Sequence, residues 1–269
     1  MTPLVTTKKR YENKYLVPES LSGALRDFVS FFCIPDPKAK SGAGIYTVNS
    51  LYFDTPDLRF FSDNRNRVNE RIKPRVRFFG ERPEGFVWLE LKRRVKSTVW
   101  KTREQVPVDQ WPEVLNPVPP SERKDRLPVE LRIEHSVQNF LNVIDTFGAL
   151  PVVHVRYDRE AYVTETDPLV RITFDRRLSG CMAHGSTDLT PNPDDYYFFD
   201  EPAACRFFDS PMIFEIKCEG RFPRWVMELV ERFGLIRQGF SKYCTTLDKG
   251  MSEFRMPESN RVPRLWSFT

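Results

Sequence analysis

The stretch RIKPRVRFFG, residues 71–80, has a basic side chain at every second position. The four cations are Arg71, Lys73, Arg75 and Arg77. Because successive side chains of a β-strand point to opposite faces, this spacing predicts a strand with all four cations on one face. Ile72, Val76 and Phe78 then occupy the other face. The whole chain has a formal net charge of only +4, so this cationic row is a local feature.

Five other stretches repeat the alternation of a charged face with an apolar face, a pattern typical of β-strands. They are RYENKYLV (10–17), FVWLELKRR (86–94), VWKTREQV (99–106), VRITFD (170–175) and MIFEIKCEG (212–220). An open antiparallel sheet also has one wet face, but such a surface usually mixes both signs of charge. Here the charged positions are mostly Lys and Arg with a few Glu, which favours a shared polar interior.

Three amphipathic segments are available to cover the apolar faces of these strands. Helices are predicted over 19–32, 129–147 and 223–234, and loops over 106–128 and 188–205. With helices outside and charges inside, the sequence predicts an α+β fold: a closed antiparallel β-barrel (a tunnel) with a polar, mostly basic lumen, flanked by a few α-helices. We expect a single domain over residues 1–269, with its core at about 8–250 and a C-terminal tail at 251–269.

The remaining composition argues against several other classes of protein. The five cysteines are scattered and contain no C-x-x-C pair, which favours reduced thiols in a cytoplasmic protein. The three histidines lack the spacing of metal ligands. No stretch has the pattern of a signal peptide, a membrane span or a nucleic-acid-binding motif. We therefore expect no membrane segment in this chain and no nucleic-acid partner.

A basic lumen needs an anion to be stable. Two like charges about 4 Å apart repel by about 1 kcal/mol in water and by about 4 kcal/mol at an effective dielectric constant of 20. A multiply charged linear anion relieves this repulsion, because arginine forks and lysine ammonium groups suit phosphate oxygens. The few glutamates on the charged faces would repel such an anion, and a divalent metal bridging Glu to phosphate would explain them.

At this point the chain resembles a known family, the VTC-type polyphosphate polymerase domain of the triphosphate tunnel metalloenzyme (CYTH-like) superfamily. The resemblance covers about residues 8–250 and rests on the order and spacing of short motifs. Besides RIKPRVRFFG, these are RYENKYLV, VNSLYFDTPDL (48–58), LELK (89–92), VRYDREAYV (155–163), VRITFDRRL (170–178), FEIKCEG (214–220) and GFSKYCTTL (239–247).

The resemblance implies a tunnel that binds triphosphates and polyphosphate with Mn²⁺ or Mg²⁺ as cofactor. It gives the role of phosphate ligands to Lys14, Arg75, Arg77, Lys92, Arg159 and Lys242. Tyr157 and Ser241 would donate hydroxyl groups. Further substrate-binding wall residues would be Lys101, Arg103, Arg171 and Lys217. Glu215 would bind the metal, with help from Glu12 or Glu90.

The chain departs from the hydrolytic members of that superfamily at its first strand. Those members have an N-terminal E-x-E-x-K, whereas here Arg10 takes the place of the first glutamate. A water-attacking enzyme needs carboxylates to bind metal and to deprotonate water. The departure therefore favours a polymerase that moves the γ-phosphate of ATP onto a growing polyphosphate chain.

Two alternatives stay open from the sequence. The first is a metal-dependent triphosphatase acting on inorganic or nucleoside triphosphate, and the second is a non-catalytic sensor of polyphosphate or nucleotide. The expected partners are ATP or another triphosphate together with polyphosphate. The SPX-type and membrane-spanning parts of fungal relatives do not occur in this sequence, so any membrane-protein partner stays unidentified.

Overall fold

The charged-and-apolar strands assemble into one antiparallel sheet. In this computed structural model, the described residues are 10–37, 44–96, 98–115, 135–166, 168–199 and 211–255. The strands are β1 (Arg10–Pro18), β2 (Ile34–Pro35), β3 (Ile45–Asp54), β4 (Glu70–Phe79), β5 (Phe86–Val95), β6 (Thr98–Pro107), β7 (Leu150–Val163), β8 (Val170–Met182), β9 (Tyr197–Phe198) and β10 (Pro211–Glu219). The helices are α1 (Ser22–Ser30), α2 (Arg59–Arg65), α3 (His135–Phe147), α4 (Arg224–Arg232) and α5 (Lys242–Arg255).

The sheet order is β1-β10-β8-β7-β3-β4-β5-β6, with β2 added to β7 and β9 added to β8. All the pairs are antiparallel, so the predicted antiparallel α+β fold is confirmed. Within the described ranges, β1 and β6 end this order and are not paired with each other. Closure into a barrel therefore stays a prediction. The outer edge of β1 is instead covered by a short segment, since Tyr15 bridges Arg237 and Gln238 N–H donates to the Lys14 carbonyl at 2.8 Å.

The apolar face of each strand packs under helices, as the alternation predicts. Val76 and Phe78 of β4 share a buried cluster with Phe140 and other residues of α3. A second cluster joins the apolar faces of β1, β8 and β10 to α1 and α4. Burying apolar side chains stabilises a fold by about 25 cal/mol per Å², so these two layers fix which face of the sheet is left to the charged residues.

The predicted helices are found, with differences at their ends. The first runs as a short 3₁₀ turn at Glu19–Leu21 followed by α1, and the third is α4. The second contains α3, while 129–134 lie outside the described residues. Short 3₁₀ helices and β9 interrupt the two predicted loops, of which 116–128 and 200–205 are not described. No helix in the described ranges combines the length and the apolar character needed to cross a bilayer.

Two helices were not predicted, and both help to build the site. The C-terminal tail was predicted to begin at 251, but α5 continues to Arg255. This helix packs against β8 at Gly180, where a β-carbon would lie only 2.0 Å from the Thr246 side chain. The other helix, α2, begins where Phe60 and Phe61 N–H donate to Asp54 at 2.8 Å. The Tyr243 hydroxyl of α5 donates to the same carboxylate, which ties both helices to the end of β3.

His154 on β7 gives the fold a testable pH dependence. The side chain is buried, and this burial lowers its pKa from 6.5 to about 4, against a smaller raising effect of Asp188. The unfolded chain binds the proton more readily than the folded chain. The contribution of His154 to stability is therefore fully present above pH 6.5 and is lost as pH drops towards 4. This shift in pKa lowers the free energy of unfolding of the wild type by up to about 3 kcal/mol between pH 6.5 and pH 4. We expect His154→Leu to lack this decrease. Urea unfolding at several pH values from 7 to 4 measures the free energy of unfolding, with exposed His184→Gln as the control. If this free energy depends on pH equally in the wild type and in His154→Leu, the acid-dependent decrease does not come from His154.

Candidate functional site

The strand residues predicted for the site lie on one side of the sheet. The cross-strand register pairs Lys14 with Glu215, Lys217 with both Glu12 and Arg171, and Arg159 with Asp175. It also pairs Arg75 with Glu90, Glu90 with Arg103, and Lys92 with both Lys73 and Lys101. Paired residues of an antiparallel sheet have their side chains on the same face. The strand residues of the predicted site therefore share one surface, which we call the charged face.

The charged face curves so that distant strands approach one another. In the hydrogen-bonded order, β5 lies six places from β1, which in a flat sheet is a separation of roughly 29 Å. Nevertheless, Glu12 and Lys14 of β1 and Lys217 of β10 all perturb the pKa of Lys92 on β5. Such charges would be screened across a flat sheet, because the Debye length is about 8 Å at physiological salt. The charged face is therefore concave.

The segment before α5 contacts both sides of this concavity. The Lys73 ammonium of β4 donates to the Ser241 hydroxyl at 2.9 Å, and the Lys14 ammonium of β1 donates to the Phe240 carbonyl at 3.3 Å. Two adjacent residues thus touch strands that are five places apart in the sheet order. Helix α5 consequently places Ser241 and Lys242 at the charged face, although they lie on no strand.

The first cluster on this face is centred on Glu90, which is 1% exposed. Its carboxylate accepts from Arg75 Nε at 2.7 Å and from Lys101 Nζ at 2.7 Å, and lies 3.1 Å from Arg103 and 3.8 Å from Arg77. Burial alone would raise the pKa of Glu90, but these cations hold it well below its usual value. Every oxygen of Glu90 is thus engaged by cations.

Tyr52 adds a hydroxyl to this cluster. It accepts a hydrogen bond from Arg75 at 2.7 Å. Burial raises the pKa of its phenol, but the nearby cations of Arg75, Arg77 and Lys73 outweigh burial and lower the pKa to about 8. Burial also lowers the pKa of Lys101, more than Glu90 raises it, to about 8. Both shifts bring the pKa of the side chain closer to neutral pH.

The second cluster is centred on Asp175 of β8, which is 1% exposed. Arg159 donates to both of its oxygens at 2.7 Å, and Lys242 donates to Oδ2 at 2.6 Å. Although burial raises the pKa of Asp175, these two cations lower it to about 2. The Arg159 and Lys242 cations also lie over the ring of Tyr157, at 5.1 and 4.6 Å from its centroid. Cations from β7 and α5 are thus fixed side by side.

The third cluster contains Glu215, Glu12 and Lys14. The Lys14 ammonium lies 3.0 Å from Glu12 and 3.5 Å from Glu215, and Lys217 lies 2.9 Å from Glu215. Burial opposes ionisation of Glu215, but Lys217 and Lys14 hold its pKa well below the usual value. Next to Glu215 in the register is Thr173, whose buried hydroxyl has no hydrogen-bond partner in the part of the chain described.

This third cluster fits a divalent cation better than the first. Mg²⁺ is usually held by one or two carboxylates, with water and substrate phosphates completing its shell. Glu12 and Glu215 supply two adjacent carboxylates, and the unpartnered Thr173 hydroxyl supplies a further oxygen. Glu90 has its oxygens engaged by four cations. Across the described ranges, no group of three or more His, Cys, Asp or Glu side chains is arranged to hold a metal.

Several cations of the face have no carboxylate partner. Among the described residues, Arg71, Lys73 and Lys92 form no ion pair, and burial is the largest cause that lowers the pKa of each. Neighbouring cations lower these pKa values too, against the raising effects of Cys244 on Arg71 and Lys73 and of Glu12 on Lys92. Arg171 differs, because it pairs with Asp36 at 2.7 Å and donates to the Tyr46 hydroxyl at 3.1 Å. Unpaired cations that repel one another make the face a site that an anion would stabilise.

The structure brings the predicted site residues together on the charged face and adds four that were not predicted as site residues. These are Lys73, Asp175, Tyr52 and Thr173. Lys73 and Asp175 lie in the charged rows that the alternation predicts, so the pattern could have indicated them. Tyr52 became a candidate through its position in the register opposite Arg75, and Thr173 through its position opposite Glu215.

The fold and the site define a class: an antiparallel sheet whose concave face is lined by cations from separate strands. The model of the VTC domain family matches residues 9–249. The chain therefore belongs to the VTC domain family, and the resemblance seen in the sequence is confirmed.

Comparison with solved structures finds more distant similarity. One is a putative adenylyl cyclase, HpAC1 from Hippeastrum, described as having a dominant triphosphatase activity. It is 18% identical over 89% of this chain and 96% of its own, with a TM-score of 0.46. Another is a putative adenylate cyclase from Bacillus halodurans, 11% identical over 86% of this chain and 92% of its own, with a TM-score of 0.44. No curated protein matches the chain.

Proposed function

We propose that this chain is a polyphosphate polymerase-type phosphotransferase, which moves the γ-phosphate of ATP onto a growing polyphosphate chain. The observation that carries the proposal is the convergence of cations from β1, β4, β5, β6, β7 and α5 on one concave face. Membership of the VTC domain family supports the same conclusion. In this proposal the concave face and the Phe240–Lys242 segment together enclose a tunnel, as expected from the sequence.

The arginines and lysines of the three clusters would make different contacts with the bound phosphates. Arg75 and Arg159 present planar guanidinium groups that suit bidentate contacts with phosphate oxygens. Lys14, Lys92 and Lys242 add point charges that neutralise the rest of the chain of phosphates. Phosphoryl transfer depends mainly on in-line positioning and on stabilising charge, which these fixed cations provide.

The site suits phosphate better than water as the acceptor of the γ-phosphoryl group. The terminal phosphate of the acceptor is already ionised at neutral pH, so its attack on the γ-phosphorus needs no general base. ADP then leaves, and the acceptor has grown by one phosphate. On the concave face, Glu90, Asp175 and Glu215 are each paired with cations, an arrangement suited to holding cations in place and not to deprotonating water.

The expected cofactor is Mn²⁺ or Mg²⁺, held by Glu215 with Glu12. When bound there, such an ion would supply positive charge that neutralises part of the negative charge of the phosphates. Lys14, which now lies between the two carboxylates, would then be free to move towards the phosphates. Glu90 is assigned instead to holding Arg75, Lys101 and Arg103 in position.

Incubation with γ-labelled ATP and Mn²⁺ or Mg²⁺ tests the function. We expect the label to appear in long chains that resist phosphatase but are degraded by an exopolyphosphatase. Release of all label as free phosphate would instead support the triphosphatase alternative. Thermal stabilisation by triphosphate with no turnover at all would support a sensor. Either of these last two results contradicts the polymerase.

The lowered pKa of Lys101 predicts how the reaction responds to alkaline pH. Burial lowers the pKa of Lys101 to about 8, so we expect kcat/KM to fall as pH rises through this value. Arginine stays protonated there, so Lys101→Arg should keep its kcat/KM to higher pH. Initial rates from pH 6.5 to 9.5 measure both profiles. Superimposable profiles would show that Lys101 does not contribute its charge to substrate binding.

A further inference from the structure

Along the strands, the side chains of the concave face change from charged to aromatic. On β4, the row Arg71, Lys73, Arg75 and Arg77 continues with Phe79, and on β5 the row Lys92 and Glu90 continues with Trp88 and Phe86. The register pairs Arg77 with Trp88, so both rows change from charged to aromatic at the same end. Tyr46 of β3 joins them, with its ring 5.8 Å from that of Phe79. We call Tyr46, Phe79, Phe86 and Trp88 the aromatic end.

Three of the four rings of the aromatic end lie outside the apolar clusters, while Tyr46 packs against one of them. Phe79 is 40% exposed and Phe86 is 48% exposed, and neither they nor Trp88 belong to the apolar clusters of the described residues. Large aromatic side chains that stay exposed at the edge of a polar site call for a function. Their position next to Arg77 and Glu90 makes them continuous with the proposed phosphate site.

Arg103 contacts both the aromatic end and the charged part of the face. Its guanidinium lies 3.6 Å from the ring centroid of Trp88 and 5.7 Å from that of Phe79, while the same group lies 3.1 Å from Glu90. Arg103 is therefore stacked on an indole and held in plane by a carboxylate, with part of its surface open to solvent. Exposed aromatic rings and arginine planes are the surfaces on which nucleic-acid bases stack in proteins.

At the opposite end of the face, the described rows of β4 and β5 end in the paired residues Arg71 and Arg94 and not in aromatic side chains. Arg71 lies there with Arg94 and Arg67 as its nearest charges, which together with burial lower its pKa. A ligand with phosphates at one end and an aromatic ring at the other would therefore bind in one direction. Its phosphates would lie among the central cations and its ring against the aromatic end.

We propose that the aromatic end binds the base of a nucleoside triphosphate by stacking, so that the chain distinguishes such a donor from inorganic triphosphate. The inference rests on the proposed function, because it requires the phosphates to occupy the central cations. Stacking responds to the area of the ring more than to its hydrogen-bonding edge. The site should therefore bind ATP and GTP similarly and CTP and UTP more weakly.

Calorimetric titration with two probes tests the inference. The probes are AMP-PNP, which carries a base, and inorganic tripolyphosphate, which does not. We expect Trp88→Ala to weaken AMP-PNP binding by about tenfold, the usual scale for loss of one stacked base, and to leave tripolyphosphate binding within about twofold. Phe79→Ala should weaken AMP-PNP in the same selective way, and Trp88→Phe should retain most of the affinity.

Trp100→Ala is the matched control, because Trp100 is 53% exposed and lies on β6 one residue from Lys101, on the opposite side of the sheet. It should change neither affinity. If Trp88→Ala and Phe79→Ala leave AMP-PNP binding unchanged, or weaken both probes equally, base stacking is wrong while the phosphate site stands. If neither probe binds to the wild-type chain, the proposed function is wrong and the inference is lost with it.

Discussion

Arg75→Ala is expected to lower the kcat of polyphosphate synthesis by about 100- to 1,000-fold, the range measured when one donor to a developing negative charge is removed from an enzyme. Among the described residues, Arg75 alone donates to both the Glu90 carboxylate and the Tyr52 hydroxyl. Its loss leaves Glu90 still paired with Lys101 and Arg103, so no carboxylate is left buried without a partner. The effect should therefore fall on turnover and not on folding. Arg77→Ala should act in the same direction.

Arg93→Ala is the control for Arg75→Ala. Arg93 lies on the neighbouring strand, β5, but on the other side of the sheet, where it forms an exposed ion pair with Glu70. Exposed pairs contribute little to stability, about 0–1 kcal/mol. Circular dichroism and thermal unfolding confirm folding for each variant before rates are compared. If folded Arg75→Ala or Arg77→Ala polymerises at the wild-type rate, the site has been assigned to the wrong residues.

Asp175→Asn is expected to have the largest effect on stability. The substitution keeps the shape of the side chain but removes the charge that Arg159 and Lys242 share at 2.6–2.7 Å. Removing one partner of a buried ion pair costs about 3–5 kcal/mol, which for a chain of this size lowers the midpoint of thermal unfolding by roughly 10 °C. Differential scanning calorimetry measures the shift.

Added tripolyphosphate should restore more stability to Asp175→Asn than it gives to the wild type. The reason is that the anion can replace the missing charge beside Arg159 and Lys242. Glu228→Gln is the control, since Glu228 pairs with Arg224 on the exposed surface of α4. A loss of less than about 1 kcal/mol for Asp175→Asn, the value typical of surface pairs, would contradict the assignment of Asp175 as the counter-ion of both cations.

The sequence predicted the sheet because alternation is a local property. The row from Arg71 to Arg77 and its equivalents on β1, β5, β6, β8 and β10 required only that each stretch be a strand. Their apolar faces then followed, and the buried positions of Val76, Ile172 and Phe214 agree with them.

Pairing across the sheet could not be predicted in the same way. From the family resemblance, Glu215 was the predicted metal ligand with help from Glu12 or Glu90, and alternation alone could not choose between these two helpers. Only the register and curvature show that Glu90 faces four cations while Glu215 lies beside Glu12 and Thr173. Likewise, Asp175 was placed on a charged face by alternation, but its partner Lys242 comes from α5, which no strand pattern reveals.

Helix α5 was not predicted, and its interior contains Gly250, a residue that disfavours helices. Its stability depends on close contact with β8 and β9, where Gly250 lies against Met182 and the Tyr197 hydroxyl. A β-carbon at Gly250 would lie 2.5 Å from both of those side chains. Helix propensity depends on neighbouring residues in the sequence and does not include such tertiary contacts. Ser241 and Lys242 were therefore assigned from family resemblance alone.

The central claim is that cations from separate strands meet in one enclosed channel that binds a linear chain of phosphates. A crystal structure of the chain with bound tripolyphosphate tests it most directly. The account predicts one anion lying in a single channel, in contact with Arg75, Lys92 and Lys242 together. An anion bound elsewhere, or those three side chains directed to separate outer surfaces, would contradict it.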